Sequence, residues 1–202
     1  MEFRSNSRPA NEAFIGEMIN CKACPAREES IQVVPPVGDW ESKIMIVGRN
    51  PGEEEETQGL PFVGPGGKLL DKMLAGAGLA RHQVWITNLV KCHTYSDREP
   101  SPIEVQVCFS RHLHAEFEMI QPKFVILLGN QAIRMVAGDN MPSVTKTHGT
   151  IFTHENLNCD VYLQHHPGYL LRKPLVGKKV LEEDMPRLKL ALEERGLLSV
   201  PS

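Results

Sequence analysis

The sequence predicts an α/β protein with a mainly parallel sheet packed between helices, and three observations carry that expectation. Four short apolar runs, Lys43 to Val47, Val84 to Thr87, Phe124 to Leu128 and Val161 to Gln164, read as buried strands. The stretches between them show helical periodicity and helix-capping chemistry. Small, polar or turn-forming residues follow each run, which is where open α/β sheets bind their ligands.

Taken in order, the first run gives way to Gly48-Arg49-Asn50-Pro51-Gly52. Leu69, Leu70, Met73, Leu74 and Ala77 then recur at helical spacing, with Gly78 as a stop. The second run leads into Asn88. Ser101-Pro102-Ile103-Glu104 joins a cap, a first-turn proline and a capping-box glutamate, and opens a helix carrying Val107, Leu113, Phe117 and Ile120. Gly129-Asn130 follows the third run and precedes a short helix over Gln131 to Val136. The fourth leads into His165-His166-Pro167-Gly168, and a last helix runs from Asp184 to Arg195, stopped by Gly196.

No repeat, low-complexity tract or long linker divides the 202 residues, so one domain over 1–202 is expected. With 41% hydrophobic and 23% charged residues the composition is that of an ordinary soluble globule. A net charge of -3 excludes a generally basic, nucleic-acid-coating surface, and any nucleic-acid contact must be local. No apolar run approaches the roughly 18 residues of a membrane span, and the opening MEFRSNSRPANEAF has no apolar signal core. A cytoplasmic protein without membrane contact is the expectation.

Five cysteines without a secretory signal suggest metal ligands or core residues more than disulfides. Cys21 and Cys24 form a CxxC ahead of the sheet, and Cys92 and Cys108 follow the second strand, the latter inside the capped helix. Setting Cys159 aside leaves four thiols, which suit tetrahedral zinc or a [4Fe-4S] cluster; their spacing leaves both open.

The order CxxC, GxxPGEEEE, GLPFVGPGGKLLDKML, WITNLVKC, a second cysteine in the next helix, FVILLGN and HPGYLLR resembles the family four uracil-DNA glycosylases over roughly residues 13 to 195. The resemblance implies the three-layer α/β/α glycosylase fold with a four-stranded, mainly parallel sheet. It also implies a [4Fe-4S] cluster on Cys21, Cys24, Cys92 and Cys108. The implied activity is hydrolysis of the N-glycosidic bond of uracil, or of a related damaged or modified pyrimidine in DNA, leaving an abasic site. A monomer is the default.

Such an enzyme lifts its base from the stack, holds it, stabilises the leaving charge and positions a water. Phe62 resembles the family's stacking aromatic and Asn88 its base-reading amide, which can donate to a carbonyl and accept from a ring N–H. His166 resembles the histidine of the HPS motif, facing the base oxygen that gathers charge, with its protonation state open. Gly168 stands where that motif has serine, which leaves backbone N–H groups to bind phosphate. Tyr169, Leu170, Leu171, Arg172 and Lys173 resemble the loop that enters the minor groove with an apolar wedge and basic neighbours.

The first loop departs from the family. Where GEAPG is usual, this chain has Arg49 for glutamate and Asn50 for alanine. The pattern GxNPG is similar to the loop of mismatch-specific and single-strand-selective glycosylases, whose asparagine is associated with positioning water. Asn50 is therefore the expected catalytic partner of His166, with Gly48, Arg49 and Gly52 lining the substrate. The run Glu53 to Glu56 is a second source of a carboxylate. Arg49 favours an alternative, a glycosylase-fold protein that binds DNA or modifies a base without excising uracil. A third reading, a phosphate cradle for a nucleotide, lacks a Walker or GxGxxG pattern.

Overall fold

The computed structural model describes residues 9–198. Residues 1–8, part of the stretch read above for a signal core, and 199–202, the end of the expected domain, lie outside the described residues. Five strands form one sheet: β1 (Ile44–Gly48), β2 (Trp85–Asn88), β3 (Phe124–Leu128), β4 (Ile151–His154) and β5 (Cys159–Gln164). Their order is β2-β1-β3-β5-β4; the first four are parallel, and β4 runs antiparallel to β5. In register, Ile46 pairs with Ile86 on one side and Ile126 on the other, and Ile126 pairs with Tyr162.

The four expected strands are thus present, and β4 corrects the four-stranded expectation. Its residues are half-buried or exposed, whereas the inner strands β1 and β3 are buried throughout. Continuous apolar runs mark strands covered on both faces, and a short edge strand carries no such run.

Eleven α-helices surround the sheet among the described residues. Four precede the second strand: α1 (Pro9–Ile19), α2 (Pro25–Glu29), α3 (Glu53–Gln58) and α4 (Pro65–Gly76). Then come α5 (Pro102–Cys108), α6 (His114–Ile120), α7 (Asn130–Ala137) and α8 (Val144–Thr147). The chain finishes with α9 (Pro167–Arg172), α10 (Pro174–Lys179) and α11 (Met185–Glu194). Turns of π-helix, Phe109–Leu113 and Val180–Asp184, join α5 to α6 and α10 to α11.

Alternation along the strands sends successive side chains to opposite faces. Met45, Val47, Val125 and Leu127 pack on one side with Leu113 and Phe117, while Ile44, Ile46, Ile126 and Leu128 pack on the other with Leu70, Leu74 and Leu188. This is the three-layer arrangement. The free edge of β2 is covered as well: Val37 exchanges backbone hydrogen bonds with Ile86 at 3.0 and 2.8 Å, and Val34 N–H donates to the Lys91 carbonyl at 2.8 Å. No helix of the described residues is long and apolar enough to cross a membrane.

Candidate active site and cysteine cavity

The carboxyl ends of the parallel strands open into one cleft of about 970 Å³. The first loop contributes Arg49, Asn50 and Gly52; Phe62 comes from the following loop, Asn88 from the end of β2 and His166 from the loop after β5. Gly168, Tyr169, Leu171 and Arg172 of α9 line it too. Gly48 lies beneath, where its lack of a side chain is used: a Cβ there would stand 2.3 Å from Asn88 Oδ1 and 2.4 Å from Phe62 Cζ.

Two expected DNA contacts stand apart from this cleft. Leu170 is buried in the core, because residues 167–172 form a helix rather than a loop and successive residues point to different sides. The exposed aliphatic tip is therefore Leu171 alone among the expected wedge, and this corrects the assignment of Leu170 to the DNA. Lys173 is exposed at the end of α9, outside the cleft lining.

Phe62 and Asn88 are both buried at the floor. Phe62 holds the left-handed conformation, φ 54°, sparsely used by a bulky residue and a mark of imposed local geometry. Its ring lies 5.9 Å from that of His166, tilted by 33°. The Asn88 carbonyl oxygen Oδ1 is buried and finds no hydrogen-bond partner among the described residues. An unmet buried acceptor costs about 1–3 kcal/mol, which a base edge offering an N–H recovers.

His166 Nδ1 accepts from the Gly168 N–H at 3.2 Å, so the neutral ring carries its proton on Nε2. Burial first, then the nearby Arg49 and Arg172 cations, push its pKa down to about 4. Burial and the two cations thus favour the neutral imidazole, where the sequence left the protonation state open. His165 is occupied elsewhere, stacked on Tyr169 at 4.9 Å with the tilted ring of His148 4.7 Å away.

In the acidic run, two of the four carboxylates hold backbone. Glu55 accepts from the N–H groups of Gly52, Val63 and Gly64 at 3.1, 2.9 and 2.8 Å, tying the first loop to the Phe62 loop. Glu56 is buried and accepts from Ser30 and the Ile31 N–H. Glu53 and Glu54 stand exposed at the rim. Sequence reasoning missed Thr94, fully buried, whose hydroxyl lies 3.2 Å from Asn50 Nδ2. A lone threonine beyond Cys92 carries no pattern to reveal it.

On the other side of the sheet, Cys21, Cys24, Cys92 and Cys108 line a second, small cavity with Arg27, Lys91 and His112. Among the described residues no three His, Cys, Asp or Glu side chains converge as a site for a single metal ion. The Lys91 N–H donates to Cys108 Sγ at 3.4 Å. Arg27 Nε and His112 Nε2, both buried, lack partners among the described residues. Burial, then the other cysteines, pushes the Cys92 thiol up to about 12; burial does the same to Cys108. Between the two cavities the buried Lys91 ammonium meets Glu116 at 2.6 Å and donates to the Asn88 carbonyl, while Glu116 accepts from the Trp85 indole at 2.9 Å.

Comparison with known proteins agrees with this geometry. A family model described as "Uracil DNA glycosylase superfamily" matches residues 35–189. The chain is 36% identical to the Type-4 uracil-DNA glycosylase of Sulfurisphaera tokodaii, over 86% of this chain and 80% of that protein. It is 34% identical to that of Thermotoga maritima over 87% and 91%. The Type-5 uracil-DNA glycosylase of Pyrobaculum aerophilum is 29% identical over 92% and 93%. A parallel sheet with its polar loops gathered at one edge, and similarity along nearly the whole chain, lead to one conclusion: the chain belongs to the uracil-DNA glycosylase superfamily, in its type-4 family.

Proposed function

We propose that the protein is a DNA glycosylase that hydrolyses the N-glycosidic bond of uracil or a related modified pyrimidine and leaves an abasic site. The observation that carries this reading is the juxtaposition at the cleft floor of Phe62, the unpartnered Asn88 amide and a neutral His166. A flipped base stacks on Phe62 and meets Asn88 with its N–H and carbonyl edge. As the bond to C1′ breaks, its electron pair departs with the base, and the His166 Nε2–H donates to the oxygen where that charge gathers. A water held by Asn50 adds its oxygen to C1′ and releases a proton to solvent.

DNA is the partner. Arg172 holds phosphate, the N–H groups of Gly168 and Tyr169 being spent on His166, and Leu171 with Tyr169 faces the gap the base leaves. A monomer at work in the cytoplasm fits this reading. The cysteine cavity is assigned to a [4Fe-4S] cluster on Cys21, Cys24, Cys92 and Cys108. Four soft donors around one cavity, a backbone N–H on a ligand sulfur, and buried thiols that need a cation to ionise support that choice. Bound there, the cluster supplies a cross-link between distant segments and takes no step in the hydrolysis.

The test is incubation with single-stranded and duplex oligonucleotides carrying uracil, followed by alkaline cleavage of abasic sites. Strand scission at the uracil position is the expected outcome. Tight DNA binding without scission for any pyrimidine offered, in the parent and in Arg49→Glu, favours the second reading, to which Arg49 points: a DNA-binding relative without excision.

A further inference from the structure

Asn50 stands at the centre of a hydrogen-bond chain whose direction the partners dictate. The Thr94 hydroxyl donates to the Arg98 carbonyl at 2.5 Å. Having given its proton, Thr94 Oγ1 can only accept, and it does so from Asn50 Nδ2 at 3.2 Å. The second Nδ2 hydrogen goes to the Pro51 carbonyl at 3.1 Å. At the other end of the amide, Arg49 Nε–H donates to Asn50 Oδ1 at 2.7 Å. A guanidinium has no acceptor, so a flipped amide would set N–H against N–H at Arg49 and leave oxygen against oxygen at Pro51.

We propose that Arg49 and Thr94 are positioning residues that clamp the Asn50 amide, so that its carbonyl presents one remaining lone pair to the hydrolytic water. The inference rests on the glycosylase reading and extends it to how this chain works without a carboxylate in its first loop. Both Nδ2 hydrogens are engaged, so the amide cannot donate to the water, and Oδ1 has one of its two lone pairs left after Arg49. The water therefore gives one hydrogen to Oδ1 and turns its oxygen lone pair towards the sugar. An amide is too weak a base to remove the proton, so orientation is its whole contribution, and orientation is what the clamp controls. Arg49 thus acts through the neighbouring residue, whose amide it sets.

Two measurements test this. In single-turnover excision, Thr94→Val and Arg49→Met should each lower the rate constant by about tenfold, and Thr94→Ser, which keeps the hydroxyl, should lie within about twofold of the parent. Thr94→Val should leave the Kd for uracil-containing DNA within about twofold, and in an Asn50→Ala background it should cause no further loss. The second readout needs no activity: the Asn50 side-chain amide protons, identified by their absence in Asn50→Ala, should exchange slowly in the parent and fast in Thr94→Val and Arg49→Met. Parent-like rates and slow exchange in both variants overturn the clamp, as does an undiminished Thr94→Val effect in Asn50→Ala. A parent that releases no base defeats the glycosylase reading, while amide exchange still decides the clamp.

Discussion

His166 shows how a single residue's environment fixes its chemistry. The Gly168 N–H on Nδ1 leaves the proton on Nε2, and burial beside Arg49 and Arg172 keeps the ring neutral until its pKa of about 4. Excision is therefore expected to hold level from near pH 8 down to about 5.5 and to fall only on approach to pH 4. A pH–rate profile whose acid limb is centred near the ordinary histidine value of about 6.5 would contradict this. Stability follows the same sign. The unfolded chain takes up the proton at about 6.5, before the folded one does, so this contribution is full above that pH and is lost as pH falls towards 4. The melting temperature should decline across that window, and less so in His166→Gln. Asn50, Asn88 and His166 stood out in the sequence because each lies just after a strand beside turn residues, whereas Phe62, in the loop between α3 and α4, was marked only by the family resemblance. Thr94 was not legible, because its role depends on where the Arg98 carbonyl falls in space.

Among the elements, the loop between α3 and α4 carries the most constraint. Phe62 at φ 54° is held by Glu55, which binds the next two N–H groups, and by Gly67, on which the Phe62 carbonyl sits so closely that a Cβ would stand 1.9 Å away. Gly67→Ala should accordingly displace this loop, costing on the order of 1–3 kcal/mol in denaturant unfolding and lowering excision by moving the Phe62 ring. Unchanged unfolding and excision would mean that the backbone absorbs the methyl group elsewhere. The core-facing helix α4 was legible from its apolar spacing. By contrast, the stretch Tyr169 to Lys173 read as a loop through the family resemblance, whereas it lies in and just after α9, where Pro167, like Pro174 in α10, occupies the first helical turn and its missing N–H costs nothing. The π-turns at Phe109–Leu113 and Val180–Asp184 left no mark on the apolar spacing of the helices they join.

At the scale of the whole molecule, the layers and strand order follow from patterns that any parallel sheet must obey, and the cleft sits where strand ends converge. What the cysteine spacing left open was zinc against an iron-sulfur cluster; the four cysteines, grouped in the sequence by resemblance, come from segments far apart in the chain and line one cavity in the fold. The stretch that supplies Cys21 and Cys24 leads through α2 into residues 33–37, of which Val37 pairs with the outer edge of β2 and Val33 and Val34 with the segment that follows it. A sheet edge stripped of such a cover offers unpaired N–H and carbonyl groups to any passing strand. With the proposed cluster bound, tethering at the cysteines would also guard against aggregation. Cys21→Ala/Cys24→Ala protein should lose iron and labile sulfide and should associate as its concentration rises, as light scattering would register. A variant that stays monodisperse at high concentration would show the cover to be held by Val34 and Val37 alone, and stoichiometric zinc in the parent in place of iron would reassign the tether. On the proposed cluster assignment, the cofactor would serve colloidally, keeping an adhesive strand out of reach of neighbouring molecules.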